Sequence, residues 1–249
     1  MYIRLILLAL CFLPAAHGAK FDELMHRALS AETGQHSQAA LELFQRLNNI
    51  NPDNPVVLQK MARQYSDLVA EQPDNAGKRR YAEMALEFSQ RAVAFDPKNA
   101  VNVLSLAVCH GKLALYSDTS EKVKYSRLVW EETKLALALD PNYAWAHHVL
   151  GRWNCEIATL GATSRFLVKL FYGSLPPASV DEGVRQLQLA TELEPGELSH
   201  WFELGYAYLS AGKPDQARKQ WIHGLNMPSR GVYDDSAKQK AREALAKLG

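Results

Sequence analysis

The sequence lacks the residue patterns that mark most catalytic and metal sites. It has 3 cysteines in 249 residues and no C-x-x-C pair, so a disulfide scaffold is excluded. H-E-x-x-H, G-x-S-x-G and a glycine-rich phosphate loop are also missing. His147 and His148 are adjacent, and neighbouring helical side chains point about 100° apart, which does not suit a shared metal. We therefore expect no enzyme activity, no cofactor and no metal.

An excess of charge of one sign is also missing. Lys+Arg is 28 and Asp+Glu is 27, a formal net charge of +1, which argues against a nucleic-acid partner. Apolar residues make up 47% of the chain, as in folded domains with a core. Two cysteines, Cys109 and Cys155, lie in apolar helical stretches, where we expect small core residues. The alternative is a single disulfide between them.

No apolar run is long enough to span a bilayer, which takes roughly 20 residues. The apolar run Leu5–Leu13 follows a short basic start, is broken by Pro14 and leads to small residues. This order predicts a secretory signal peptide, residues 1–18, cleaved after Gly18. Residues 19–249 then form the exported domain, in the periplasm, the secretory pathway or the extracellular space. The alternative is an uncleaved anchor or a buried first helix.

Four prolines reveal an internal repeat. Each follows Asn, Asp or Glu at the end of an apolar helical run, with spacings of 45, 44 and 54 residues. Proline ends a helix because it lacks the amide donor and clashes with the preceding turn. Three further positions repeat at fixed distances from the prolines: five residues before, twelve residues before and ten residues after. These positions hold mostly small residues, as closely packed helix pairs require. The prolines are Pro52, Pro97, Pro141 and Pro195.

The last unit carries the clearest pattern. It reads W-x-x-L-G-x-x-Y from Trp201, followed by Ala217 and Pro228, and so resembles a tetratricopeptide repeat. We predict an all-α, tetratricopeptide-like α-solenoid of about five helical hairpins plus a C-terminal capping helix near Ser236–Leu248. In such a solenoid the first helices of the hairpins line a concave groove.

An insertion separates the two helices of the fourth unit. Residues 161–177 read GATSRFLVKLFYGSLPP, which predicts a short helix bounded by glycine and proline. One hypothesis is that its apolar side chains close a pocket around a lipid or small apolar ligand. Another is that its cations join Arg152 to bind a carboxylate or phosphate, with a solvated surface as the alternative. The insertion candidates are Arg165, Phe166, Lys169, Leu170, Phe171 and Tyr172.

The same region resembles a known family. Residues 140–153 read DPNYAWAHHVLGRW, and residues 170–179 read LFYGSLPPAS. Together with the Glu-Pro pair at 194–195, they are similar to the LGRW helix, FG-x-PP insertion and DP or EP helix end of the regulator of microtubule dynamics family. The resemblance implies an elongated helical-repeat domain, and it adds microtubules and lipids to the expected partners. A microtubule-associated role applies if residues 1–18 are not an export signal.

The leading functional hypothesis is a non-catalytic scaffold that binds a protein or peptide in the groove. The residues thirteen positions after each proline form a column of polar and aromatic side chains on the first helices. Such side chains suit an extended peptide. The alternative is that they only cover the groove wall. The groove candidates are Tyr65, His110, Asn154, Tyr208 and Arg152.

Overall fold

The chain folds into α-helices joined by short connections. The computed structural model describes residues 13–248, with side chains from residue 18, and contains no strand within that range. A 3-10 turn, Val69–Glu71, follows the third helix. The helices of the described range are α1 (Leu13–Thr33), α2 (Ser37–Ile50), α3 (Pro55–Leu68), α4 (Asn75–Phe95), α5 (Ala100–Ala114), α6 (Thr119–Leu139), α7 (Ala144–Ala158), α8 (Ala162–Tyr172), α9 (Val180–Leu193), α10 (Leu198–Ser210), α11 (Pro214–Leu225) and α12 (Asp234–Lys247).

The helices pair into five hairpins. These are α1 with α2, α3 with α4, α5 with α6, α7 with α9, and α10 with α11. Each second helix packs against the first helix of the next hairpin, and α12 covers the last hairpin by contacting α10 and α11. The predicted all-α solenoid with a capping helix is confirmed. Helix α8 is the predicted insertion and stands outside this pairing.

The predicted signal peptide lies largely outside the described residues. Helix α1 begins at Leu13 and continues past Gly18 without a break. Within the described residues, no helix is both long and apolar enough to cross a membrane. Export and cleavage after Gly18 therefore stay predictions.

The residue before each repeat proline ends a helix in the same way. Its backbone N–H donates to the carbonyl four residues earlier at 2.9–3.0 Å, and its φ lies between −133° and −141°. The proline that follows has no N–H with which to continue the helix. The accepting carbonyls belong to one fully buried column of the repeat, namely Leu47, Ala92, Ala136 and Ala190.

Small residues set the distance between paired helices. Helices α7 and α9 meet at Gly151 and Gly183. A Cβ added to Gly151 would lie 2.6 Å from Leu187 Cγ and 2.9 Å from the carbonyl oxygen of Gly183. Real Cβ atoms do not approach this closely, so the two backbones are in contact across the glycines. The small residues predicted from the repeat register are therefore required by the packing.

The two cysteines of the described range are core residues. Cys109 and Cys155 are buried free thiols that belong to different apolar clusters. Burial raises the pKa of Cys109 to about 12 and that of Cys155 to about 11. Both thiols are therefore protonated and unreactive at neutral pH, which agrees with their interpretation as packing residues.

Adding one methyl group at the α7–α9 contact tests this packing. We expect Gly151→Ala to lower the free energy of unfolding by about 1–3 kcal/mol because the methyl group overlaps Leu187 and the backbone at Gly183. In a helix without such an overlap, alanine is more stabilising than glycine by roughly 1 kcal/mol. A net loss of stability would therefore show that the overlap outweighs helix propensity. Urea unfolding measures the change.

The matched control is Gly196→Ala, where an added Cβ has no neighbour within 4 Å. We expect this control to unfold within about 0.5 kcal/mol of the wild type. A Gly151→Ala protein as stable as the control would contradict the close approach.

Candidate functional site: the inner helical face

The first helices of hairpins two to five form one continuous row. Helices α3, α5, α7 and α10 contact one another in that order, and α12 extends the row by contacting α10. Tyr233, immediately before α12, contacts both α3 and α5, which shows that the row curves. We call the surface of α3, α5, α7 and α10 that curves around Tyr233 the inner face.

Tyr233 connects the two ends of this row. Its hydroxyl donates to the backbone carbonyl oxygen of Asp67 at 3.1 Å, one of the last four carbonyls of α3, which have no partner within the helix. From α5, Lys112 Nζ lies 5.0 Å from the centre of the Tyr233 ring and donates to its hydroxyl oxygen at 3.4 Å. The segment between α11 and α12 therefore lies against α3 and α5 at the inner face.

Charged side chains of α3 and α5 line the inner face beside Tyr233. Burial raises the pKa of Asp67, although the neighbouring cations Arg63 and Lys112 oppose the shift. Burial lowers the pKa of Lys112, and the charge of Asp67 opposes that shift. The two groups therefore stabilise each other's charged forms in crowded surroundings that partly exclude water.

Helices α7 and α10 carry a second group of charges on the inner face. Burial lowers the pKa of Arg152, but the carboxylates of Glu203 and Glu156 outweigh this effect and raise the pKa above its usual value. Burial raises the pKa of Glu203, and Arg152 opposes that shift. Arg152 Nε donates to Glu156 at 2.7 Å, but its side chain is still 55% exposed. Arg152 is therefore held in place on the inner face and remains accessible to a partner.

The predicted groove column lies inside the fold. All four side chains are buried, with exposed fractions between 4% and 7%. Gln45 donates to the Tyr65 hydroxyl at 3.1 Å, and Gln188 donates to the Tyr208 hydroxyl at 3.0 Å. In both pairs the glutamine is on the second helix of one hairpin and the tyrosine is on the first helix of the next. This position of the column therefore joins consecutive hairpins.

His110 and Asn154 occupy the same column with other partners. His110 Nδ1 lies 2.8 Å from Glu132 Oε2 on α6. Asn154 Oδ1 accepts from the backbone N–H of Ser179 at 3.3 Å, where the chain returns from the insertion to α9. Partner binding by the column is still a prediction, and its members present little surface for it.

The insertion faces outward. No residue of α8 is buried, and Phe166, Leu170 and Phe171 are 63%, 61% and 68% exposed. This differs from the expectation that they close a pocket together with Tyr172, which is also exposed. Only Val168 of α8 is partly covered. It projects on the opposite side of the helix from Phe166 and Leu170, which directs these two away from the body of the protein.

Contacts at both ends hold α8 in place. From α6, Arg127 donates to the backbone carbonyl oxygens of Tyr172 and Ser174, the latter at 3.2 Å. At the other end, Arg165 donates to the carbonyl oxygen of Ala158 at 3.2 Å. Arg165 therefore contacts the end of α7, whereas Arg152 pairs with Glu156, and Lys169 is exposed. The proposed convergence of these three cations on one anion stays a prediction.

Comparison with known proteins identifies the family. The model described as "Regulator of microtubule dynamics protein 1-3" matches residues 22–249. The chain belongs to this family. A mouse member, Regulator of microtubule dynamics protein 2, is 22% identical over 231 residues, which are 92% of this chain and 56% of the relative. Regulator of microtubule dynamics protein 3 of the rat is 28% identical over 193 residues, 76% of this chain and 40% of the relative. The chain spans about half the length of the family members it matches.

Solved structures support the fold. A thermophilic TPR protein of Thermus thermophilus has a TM-score of 0.67 at 21% identity, covering 91% of this chain and 99% of that protein. The structure of MamA from Desulfovibrio magneticus RS-1 has a TM-score of 0.51 at 12% identity, covering 84% and 94%. At these identities the comparison shows the tetratricopeptide-like architecture alone.

Of the inner-face charges, the sequence predicted Arg152 but not Asp67, Lys112, Glu156 or Glu203, although the repeat register of the chain contains a signal for three of these. Asp67, Lys112 and Glu156 each lie fifteen positions after a repeat proline, two positions beyond the predicted column. That offset moves the side chain from the contact between hairpins to the inner face. Tyr233 has no such signal because its contact with Asp67 joins residues 166 positions apart.

A histidine pair lies between the fourth and fifth hairpins. His148 Nδ1 on α7 lies 2.9 Å from His200 Nδ1 on α10, and both rings contact Trp145. Burial is the main cause that lowers the pKa of His148 well below its usual value, and the neighbouring His200 adds to the shift. Burial lowers the pKa of His200 to about 4. Among the described residues, no group of three His, Cys, Asp or Glu is placed to hold a metal.

The histidine pair predicts a loss of stability in acid. Both pKa values are lower in the folded chain than the unfolded value of about 6.5. The stabilisation is therefore complete above about pH 6.5 and declines as the pH falls, since the unfolded chain then binds protons that the folded chain does not.

His200→Gln tests this pH dependence by removing one titrating ring. Between about pH 7 and pH 5, we expect the wild type to lose about 2 kcal/mol more unfolding free energy than the variant. Urea unfolding at each pH measures both. Equal losses in the two proteins would show that His200 is not the titrating group.

Proposed function

We propose that this protein is a non-catalytic scaffold whose inner face binds an extended segment of a partner protein. Membership of the family and the tetratricopeptide-like fold support a protein-interaction role. The observation that carries the proposal is the group of charges on the inner face, in which partly buried Asp67, Lys112 and Glu203 surround the exposed Arg152. Solenoids of stacked hairpins use such inner surfaces for extended ligands.

The charges favour a partner segment of mixed charge. Lys112 and Arg152 offer donors to carboxylates, and Asp67 and Glu203 offer acceptors to cations. Their crowded surroundings strengthen each contact relative to one on an open surface. A segment with acidic residues near Arg152 and a basic residue near Glu203 would complement the part of the inner face formed by α7 and α10. Complementarity of this kind governs partner choice more than it governs affinity.

A charge reversal on the inner face tests the proposal. We expect Arg152→Glu to weaken binding of the partner about tenfold or more, since it replaces attraction by repulsion. Affinity capture by wild-type protein, followed by mass spectrometry of proteins and extracted lipids, identifies the candidate partner. The affinities of the wild type and variants for it are then measured by titration.

Arg185→Glu is the matched control. Arg185 is 57% exposed and pairs with Glu182 at 2.7 Å, much as Arg152 pairs with Glu156, but it lies on the second helix α9. We expect this control to keep wild-type affinity. Equal weakening by the two reversals, or by neither, would argue against the inner face as the binding surface.

We further propose that the protein acts outside the cytoplasm. The order of basic, apolar and small residues in 1–18 supports this. Mass spectrometry of the protein isolated from its native source should find Ala19 as the first residue. The alternative is a role at microtubules, for which the relatives are named. Retention of Met1, together with co-sedimentation of the chain with microtubules, would favour that alternative.

Enclosure of a lipid by the insertion is not part of this proposal. That function requires Phe166, Leu170, Phe171 and Tyr172 to surround a cavity. Their exposure supports contact with a surface beyond the protein.

A further inference from the structure

Helix α8 presents an apolar face that nothing in the described chain covers. At 100° per residue, Phe166, Leu167, Leu170 and Phe171 fall within one arc of about 140°. Their exposed fractions are 63%, 44%, 61% and 68%. A soluble domain rarely exposes four large apolar side chains side by side without a partner.

The charged residues of the insertion itself have one sign. Arg165 and Lys169 lie one turn apart beside the apolar arc, and the whole insertion, residues 161–177, contains no Asp or Glu. Basic residues beside an apolar helical face are the arrangement of helices that lie in the headgroup region of a membrane. There the apolar side chains enter the acyl boundary, and the cations meet anionic phosphates.

The position of α8 suits contact with an extended surface. Arg127 and Arg165 hold its two ends to the carbonyl oxygens of residues 172, 174 and 158. The exposed arc faces away from α6, to which α8 is held, so the helix forms a ridge. A ridge can enter a soft planar surface without any rearrangement of the solenoid.

Charge argues against a second copy of the chain as the occupant. In a two-fold contact of α8 with α8, the same patch meets itself. The cations Arg165 and Lys169 of both copies would then lie close together, and the insertion offers no carboxylate to neutralise them. An anionic lipid surface provides that neutralisation.

We propose that α8 is a membrane-docking helix that inserts Phe166, Leu167, Leu170 and Phe171 into the headgroup region of an anionic bilayer. The ligand is the lipid surface itself, and no pocket is involved.

Vesicle flotation of the full chain tests the proposal. The probes are vesicles of phosphatidylcholine alone and vesicles in which part of it is replaced by phosphatidylserine. We expect Phe166→Ser/Leu170→Ser to weaken binding to the anionic vesicles at least about tenfold. The variant lacks two large apolar side chains whose transfer from water into the bilayer would favour binding. Lys169→Gln, which leaves the contact of Arg165 with Ala158 intact, should weaken binding to anionic vesicles about fivefold and leave any binding to neutral vesicles unchanged.

The matched control is Phe95→Ser/Leu115→Ser. These side chains are 54% and 64% exposed and lie outside the insertion, at the end of α4 and just after α5. We expect this control to bind as the wild type does. An equal loss in the control and in the α8 variant would show a non-specific effect of surface hydrophobicity and overturn the proposal.

Hydrogen–deuterium exchange of the wild type supplies a local measurement that needs no substitution. A short exposed helix exchanges its amides readily, so anionic vesicles should slow exchange across residues 162–172. Unchanged exchange there, even if the chain floats with vesicles, would place membrane contact elsewhere and overturn the proposal. So would a wild-type dimer in sedimentation that Phe166→Ser/Leu170→Ser converts to a monomer, since α8 would then bind a second copy.

Discussion

The solenoid depends on the close approach of paired helices at small residues. Gly151 and Gly183 bring the backbones of α7 and α9 into contact, and in the second hairpin the equivalent positions are held by Ala62 and Ala85, which have no exposed surface. This spacing sets the separation of the two helices in a hairpin, and each hairpin packs on the next through its second helix. The curvature of the inner face, and with it the meeting of Tyr233 with α3, is the sum of small rotations from one hairpin to the next.

The same spacing explains how the chain accommodates α8. The insertion interrupts the fourth hairpin, yet α7 and α9 still pair because the glycines keep their register. Asn154 lies at the column position held by tyrosine in two other units. Its side-chain oxygen accepts a hydrogen bond from the backbone N–H of Ser179, where the chain passes from the insertion to α9. The repeat position at which Tyr65 and Tyr208 join hairpins is used here to close a loop. The insertion therefore adds an exposed helix without opening the core.

Sequence alone predicted the hairpins, the capping helix and the extent of the insertion, since proline positions and small-residue columns are local and periodic. It placed Tyr65 and Tyr208 in one column correctly but did not determine whether they face a partner or the preceding hairpin. The sequence also did not predict that α8 faces outward, because the apolar arc alone does not show which side of the helix contacts the rest of the protein. That direction depends on Arg127, 47 positions before Ser174. Contacts over such separations leave no periodic signal.

The contact between Tyr233 and Asp67 also limits how this architecture can change. Repeat arrays held only by neighbouring units can gain or lose a unit with little effect on the others. Here the hydroxyl of Tyr233 reaches the end of α3 across three intervening hairpins. Deletion or duplication of one of them would shift α12 by a full unit and separate the two residues. The number of hairpins between α3 and α12 is thus linked to the fit of a single side chain, so evolution by repeat copying would have to replace this contact as well.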